Sequence, residues 1–97
     1  MEIVDNAERH RFEASIGEQV AVAVYRLSGD TITFTHTEVP EALRGQGIGE
    51  ALARAALDSA RAKNLKVVVR CPFISAFIRV HPEYQDLLAQ PLPETRS

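Results

Sequence analysis

One cysteine is all that this chain of 97 residues contains, so it can form no internal disulfide and supplies too few thiolates for a structural zinc site. Cys71 is then either an apolar filler of the core or a reactive thiol. Long apolar runs are missing as well. None approaches the ~20 residues that span a bilayer, and the first residues lack the basic and apolar regions of a secretory signal. The expectation is a cytoplasmic protein with no membrane partner. An excess of positive charge is also absent: the net charge of −2 gives no general pull toward nucleic acid or anionic lipid. Repeats and low-complexity segments are not found, and there is no room for a second domain. At 45% hydrophobic content the chain suits one compact unit that buries roughly 60 to 65% of its unfolded surface.

Against these absences stands Arg44-Gly45-Gln46-Gly47-Ile48-Gly49, set between a β-branched run ending at Val39 and an alanine-rich amphipathic run reaching Lys63. A strand, a glycine turn and a helix make a cradle for a phosphate. Glycines let the backbone approach a ligand and adopt positive φ, and the first helical turn offers roughly four unpaired N–H groups to an anion. What the loop lacks narrows the choice. A P-loop would continue Gly-Lys-Ser/Thr, whereas Gly49 is followed by Glu50 and Ala51, which argues against an NTPase. The dinucleotide fingerprint needs G-x-G-x-x-G and an acidic residue closing the next strand; here the spacing is G-x-G-x-G and the next strand runs into Arg70 and Cys71.

Periodicity supplies the surrounding elements. Residues 9–14 alternate as a half-buried strand, 15–18 turn, 20–27 form a second strand, and Ser28-Gly29-Asp30 is a hairpin signal into a third at 31–39. This opening is an antiparallel meander. In the third strand Ile32, Phe34, His36 and Glu38 share one face unless a bulge intervenes. A helix follows from Gly47, with a stripe of Ile48, Leu52, Ala55, Ser59 and Ala62. Val67, Val68 and Val69 read as a strand buried on both faces, parallel to the third through a helical crossover. After Pro72, residues 73–80 make a short helix that His81-Pro82 stops, and residues 89–97 read as a flexible tail behind a domain of residues 1–88. Ligands of open α/β sheets bind beyond the carboxyl ends of parallel strands, so the glycine loop and Cys71 should line one crevice.

The run from Val39 to Gly49, with Arg44, Gly47 and Gly49 matching Arg/Gln-x-x-Gly-x-Gly/Ala, resembles the pyrophosphate loop of the GNAT superfamily of acyl-CoA N-acyltransferases. Cys71-Pro72-Phe73 and His81-Pro82-Glu83-Tyr84 are similar to the signature of a short GNAT-like subgroup, and the two resemblances together cover about residues 20–88. The resemblance implies a minimal α/β GNAT fold with a mixed sheet. Its two parallel strands would splay, with acetyl-CoA as co-substrate in the gap and no metal. Backbone groups at Thr37 to Val39 would face the thioester, and Arg44, Gly45, Gln46, Gly47, Ile48 and Gly49 would hold the pyrophosphate. Acetyl transfer to a primary amine would follow. Glu38 and His36 lie on the relevant strand for a base, since an amine of pKa near ~10.4 is almost wholly protonated at neutral pH. His36 reads more simply as a strand histidine, and Glu38 equally as a solvated carboxylate. The family's usual tyrosine acid is missing from residues 73–80, leaving Tyr84 and Cys71 as substitutes. Tyr84 could instead bury its ring and leave its hydroxyl wet. Cys71 could act as a nucleophile, with Arg70 and His81 favouring its thiolate. The chain is short for the superfamily, which implies an open acceptor side suited to a protein or peptide amine, or one completed by a second subunit in a homodimer. An acyl-CoA-binding or sensing module with little catalysis is the alternative.

Overall fold

The computed structural model describes residues 1–93. In chain order the elements are β1 (Glu2–Asn6), β2 (Arg11–Ile16), β3 (Gln19–Ser28), β4 (Thr31–Glu38), α1 (Ile48–Ala62), β5 (Lys66–Val69) and α2 (Pro72–Val80), with short 3-10 turns at Glu41–Leu43 and Pro82–Leu87. The strands lie side by side in sequence order in one sheet. β1 to β4 are antiparallel and β5 runs parallel to β4, so the meander and the β-α-β crossover both form as expected.

β1 extends that expectation. Only Ile3 and Asn6 in it are half-buried, as suits an edge strand, whose sequence carries little hydrophobic signal. Tyr25 ties it to the sheet, donating from its hydroxyl to Asp5 at 2.6 Å. Burial first, and then the bond to the Asp5 carboxylate, push the Tyr25 phenol up to about 12. β2 begins at Arg11 rather than residue 9 because the chain is still turning at His10, whose φ is +57°.

The core lies between the sheet and α1, which packs on β2 and β3. Ala14, Ala21 and Ala23 of the sheet and Ala53, Ala56 and Ala60 of the helix are all buried. Small side chains on both surfaces allow a close approach, while Leu52 and Leu57 fill the space beside them. The buried stripe differs from the expected one: it follows the rows Ile48, Leu52, Ala56, Ala60 and Gly49, Ala53, Leu57, not Ala55, Ser59 and Ala62. Rows spaced by four residues are ridges that incline across the axis, and two of them side by side form the buried face; the expected stripe, alternating steps of four and three, runs nearly along the axis at the edge of that face. An aromatic group of Phe12, Tyr25 and Phe34 closes the other end of the core, with ring centroids 5.6 and 6.3 Å from Tyr25. Beyond the second 3-10 turn the chain returns to the sheet. Leu88 bridges to Val67, the Ala89 amide donates to the Val67 carbonyl at 2.8 Å, and Arg79 donates to the Pro93 carbonyl. The last part of the expected tail, residues 94–97, lies outside the described residues. No helix among the described residues is long and apolar enough to cross a membrane.

Candidate functional site

A bulge decides which way β4 points its side chains. Tyr25 pairs with Phe34, but the next residue of β3, Val24, pairs with His36, so Thr35 is an extra residue on β4. Its hydroxyl donates to the Val24 carbonyl at 3.4 Å. An inserted residue reverses the alternation beyond it. Ile32 and Phe34 therefore point into the core, and after the bulge Thr37 and Val39 take that side. His36 and Glu38 turn to the opposite, solvent face, where the imidazole Nε2 lies 3.0 Å from the Glu38 carboxylate. The single face shared by Ile32, Phe34, His36 and Glu38 that unbroken alternation predicts is thus not formed.

The pairing of β4 with β5 ends at Phe34 and Val69, closed by the Arg70 amide donating to the Phe34 carbonyl at 2.9 Å. Past that point β4 continues while the other chain turns at Cys71 into α2, so the two parallel strands part. Cys71 is buried at the head of the gap, and its thiol shares a 3.1 Å hydrogen bond with the Thr37 hydroxyl. Beside the gap lies a crevice of about 460 Å³, lined by Thr37 and Val39 from β4, Leu43, the loop residues Arg44, Gly45, Gly47, Ile48 and Gly49, then Glu50 and Phe73.

The glycines divide into two kinds. Gly45 and Gly47 have φ of +81° and +77°, and a Cβ on either would meet open space. They are needed for the left-handed turn that brings the backbone to the crevice. Gly47 is the N-cap of α1, and no side chain caps the helix. The first return bond runs from the Ala51 amide to the Gly47 carbonyl at 3.0 Å. The amides of Ile48, Gly49 and Glu50 thus precede the first intrahelical donor, and they carry the positive end of the helix dipole. Gly49 serves packing instead: a Cβ there would come 2.5 Å from the Phe73 ring. Sequence reasoning did not mark Phe73 as a site residue. Its position next to Pro72, at the first turn of a helix starting beside the crevice, was the available signal. Gln46 turns back, its amide donating to the Ala42 carbonyl at 3.3 Å, and does not line the crevice.

Tyr84 is not brought to this crevice. Its hydroxyl, expected either to substitute for the family's tyrosine acid or to be left wet, donates to Asp58 at 2.7 Å and accepts from Arg54 at 3.2 Å on the far side of α1. Burial, followed by the Asp58 carboxylate, raises its pKa above the ordinary phenol value. His81 stacks on Phe77 with centroids 4.2 Å apart and faces Arg54 and Glu83 rather than Cys71. Nearby, Arg61 grips Asp86 at 2.8 Å and holds that carboxyl below the usual range. The His-Pro-Glu-Tyr segment thus clamps the end of the chain onto α1, while the Cys-Pro-Phe segment faces the crevice.

The family model of the GCN5-related N-acetyl-transferase domain matches residues 11–87, nearly all of the sheet and both helices. The chain belongs to that family. Protein NATD1 from Homo sapiens is 41% identical over 63 residues, covering 64% of this chain and 56% of its own length. Protein NATD1 from Danio rerio is 42% identical over 67 residues, covering 66% of this chain and 61% of its own. The chain therefore spans little more than half the length of these curated relatives. The solution structure of a GCN5-like N-acetyltransferase candidate from Staphylococcus aureus matches with a TM-score of 0.72 and 30% identity, over 93% of this chain and 89% of that one. This chain, a mixed five-stranded sheet with two helices, shares its fold with that structure.

Proposed function

We propose that the protein is an acetyl-CoA-dependent N-acetyltransferase acting on a primary amine. The observation that carries this reading is the conjunction of an uncapped helix start behind two left-handed glycines with a strand gap that ends at Cys71. The residues fit the cofactor. The amides of Ile48, Gly49 and Glu50 suit a pyrophosphate, and Arg44 at the rim adds a cation. On the side facing the gap, β4 beyond Phe34 has no β5 partner, so its backbone can pair with an extended pantetheine arm as with an added strand. An N–H of this segment aimed at the thioester oxygen would stabilise the tetrahedral intermediate by about 3 kcal/mol.

Two routes lead from there to the acetylated amine. In the direct route the neutral amine attacks the thioester carbonyl, the C–S bond breaks, and CoA leaves as a thiol after taking the proton that the amine loses. The Thr37–Cys71 hydrogen bond favours a second route, because it holds a thiol at the head of the gap. There the Cys71 sulfur forms the new thioester as CoA departs, and the amine then takes the acetyl group and restores the Cys71 thiol. Glu38, on the solvent face, is available to accept the ammonium proton at the outer mouth.

A calorimetric titration with acetyl-CoA, with desulfo-CoA and AMP as comparison ligands, tests the cofactor. Micromolar binding that requires both pyrophosphate and pantetheine is expected, and no saturable heat would overturn the reading. Amine-dependent CoA release separates an enzyme from an acyl-CoA-binding module. Mass spectrometry after incubation with acetyl-CoA should find an acetyl group on Cys71 by the second route; full transferase activity in Cys71→Ser would leave only the direct one.

A further inference from the structure

A second hollow, of about 570 Å³, opens beside the β4 bulge, with Arg9, His10, Arg26 and Thr35 set around Val24 and Leu27. It exists for a topological reason. The turn before β2 ends in the bond from the Tyr25 amide to the His10 carbonyl, so Arg26 and the rest of β3 have no β2 neighbour. Val24 and Arg26 alternate with the buried Tyr25, which puts them on the sheet face turned away from the helices. Arg9 and Arg26 are both exposed, and among the described residues neither side chain is within ion-pair distance of a carboxylate. The carboxylate of Glu13 is near enough to feel the charge of Arg9 but is bonded to Arg11 at 2.6 Å and Asn6 at 3.2 Å instead. In a chain of net charge −2, a hollow with two unpaired guanidiniums and no acidic side chain in its lining runs against the overall balance.

The hollow lies further back along β4 from the mouth of the crevice. A shallow depression shares Thr37, Val39 and Arg44 with the crevice and carries it onto the outer face at Glu38 and Val20. From Glu38 back to Thr35 is three residues of strand, about 10 Å. β4 therefore presents a carboxylate beside the mouth of the crevice and, about 10 Å back along the strand at Thr35, the rim of the hollow that holds Arg9 and Arg26.

We propose that this hollow is an anion subsite for the acceptor: the amine comes to the Glu38 end while a carboxylate of the same molecule is held by Arg9 and Arg26. The proposal rests on the transferase reading for the word acceptor, and on the hollow itself for the anion. Guanidiniums hold carboxylates through paired N–H donors, so the substrate class is an amine with a carboxylate three or more residues away, an acidic peptide in preference to a neutral or basic one. A free amino acid carries the same charges but is too short to reach from Glu38 to the hollow.

The test uses three probes: the peptide amide Lys-Ala-Asp-Glu, its Lys-Ala-Asn-Gln counterpart, and free glutamate. Each is titrated into the isotope-labelled protein without cofactor while the backbone amide signals of Arg26 and Thr35 are followed. The acidic peptide should bind at least tenfold more tightly than its amide counterpart and move those signals, with the difference shrinking at high salt. In Arg9→Gln/Arg26→Gln the discrimination should vanish while calorimetric affinity for acetyl-CoA is unchanged. Saturation by free glutamate at the same signals, as tight as that of the acidic peptide, would show a hollow that takes any carboxylate and overturn its role as an acceptor subsite; tighter binding of the acidic peptide supports it. Equal binding of the two peptides, or discrimination that survives in the double variant, overturns the subsite. Absence of acetyl-CoA binding would instead count against the transferase reading, and the cofactor-free titration would still decide the hollow.

Discussion

The two sides of α1 answer to different rules. Along its outer face Arg54, Asp58 and Arg61 are all engaged by the segment from His81 to Asp86, through the Tyr84 hydroxyl, the Glu83 carbonyl and the Asp86 carboxylate. At its N-terminal end three amides precede the first intrahelical donor, no side chain caps them, and the glycines before them look onto open space. Both regions carry a sequence signature rich in polar groups. In one the polar groups satisfy each other and brace the fold; in the other the donors are left for something from outside. A motif therefore points to a ligand only when its hydrogen-bonding capacity is not consumed within the chain.

The largest effect should come from breaking the open side. Gly47→Glu places a side chain where φ is +77°, a conformation that costs a non-glycine residue about 1–2 kcal/mol, and it adds a negative charge beside the pyrophosphate. A loss of acetyl-CoA affinity of about 100-fold or more is expected by calorimetry. Gly47→Asn, which tolerates the left-handed region without the charge, should fall between the two. Wild-type affinity in the glutamate variant would move the cofactor away from the loop.

Gly49 offers a finer cut. Its substitution by Ala pushes on the Phe73 ring, the near wall of the crevice, and the ring can escape by swinging outward. We expect affinity to drop about tenfold in Gly49→Ala and to drop no further when Phe73→Ala is added, because both changes act through one ring. Additive losses would separate the glycine from the aromatic wall.

On the braced side, Tyr84→Phe removes the bonds to Asp58 and Arg54 and leaves the ring packed. It should cost about 1 kcal/mol of stability in denaturant titration, with acetyl-CoA affinity unchanged. A selective loss of turnover without loss of stability would instead connect Tyr84 to the chemistry.

These experiments follow the division between what the sequence makes legible and what it hides. The glycine loop, the crossover and the meander can be read because each rests on local spacing, and local spacing survives folding. β4 could be read only up to Phe34. An inserted Thr35 leaves no mark in a run of alternating threonines, yet it puts Thr37 at the crevice in place of Glu38. Tyr84 was equally ambiguous, since its partners Arg54 and Asp58 lie 30 and 26 residues away in the chain. The hollow at Arg9 and Arg26 could not be seen at all, because it depends on where β2 stops against β3.

The smallest effect, absent at neutral pH, compares the two sides through their tyrosines. The chain has no tryptophan and two tyrosines, so tyrosinate absorbance reports only Tyr25 under the sheet and Tyr84 in the brace. Both phenols are raised above 10.0 by burial and by a carboxylate partner, Tyr25 to about 12. Between those values the folded protein keeps the Tyr25 proton while the unfolded chain gives it up. The unfolded state then binds fewer protons, and stability must fall as pH rises. The contribution is fully present below pH 10 and is lost as pH passes through about 12. Tyr84→Phe isolates Tyr25, whose absorbance should rise only as the sheet unfolds, and Tyr25→Phe should flatten the alkaline slope in the window set by Tyr25. Ionisation of Tyr25 near pH 10 in the intact fold would mean that its hydroxyl is wet, and that Asp5 does not hold β1 to the sheet.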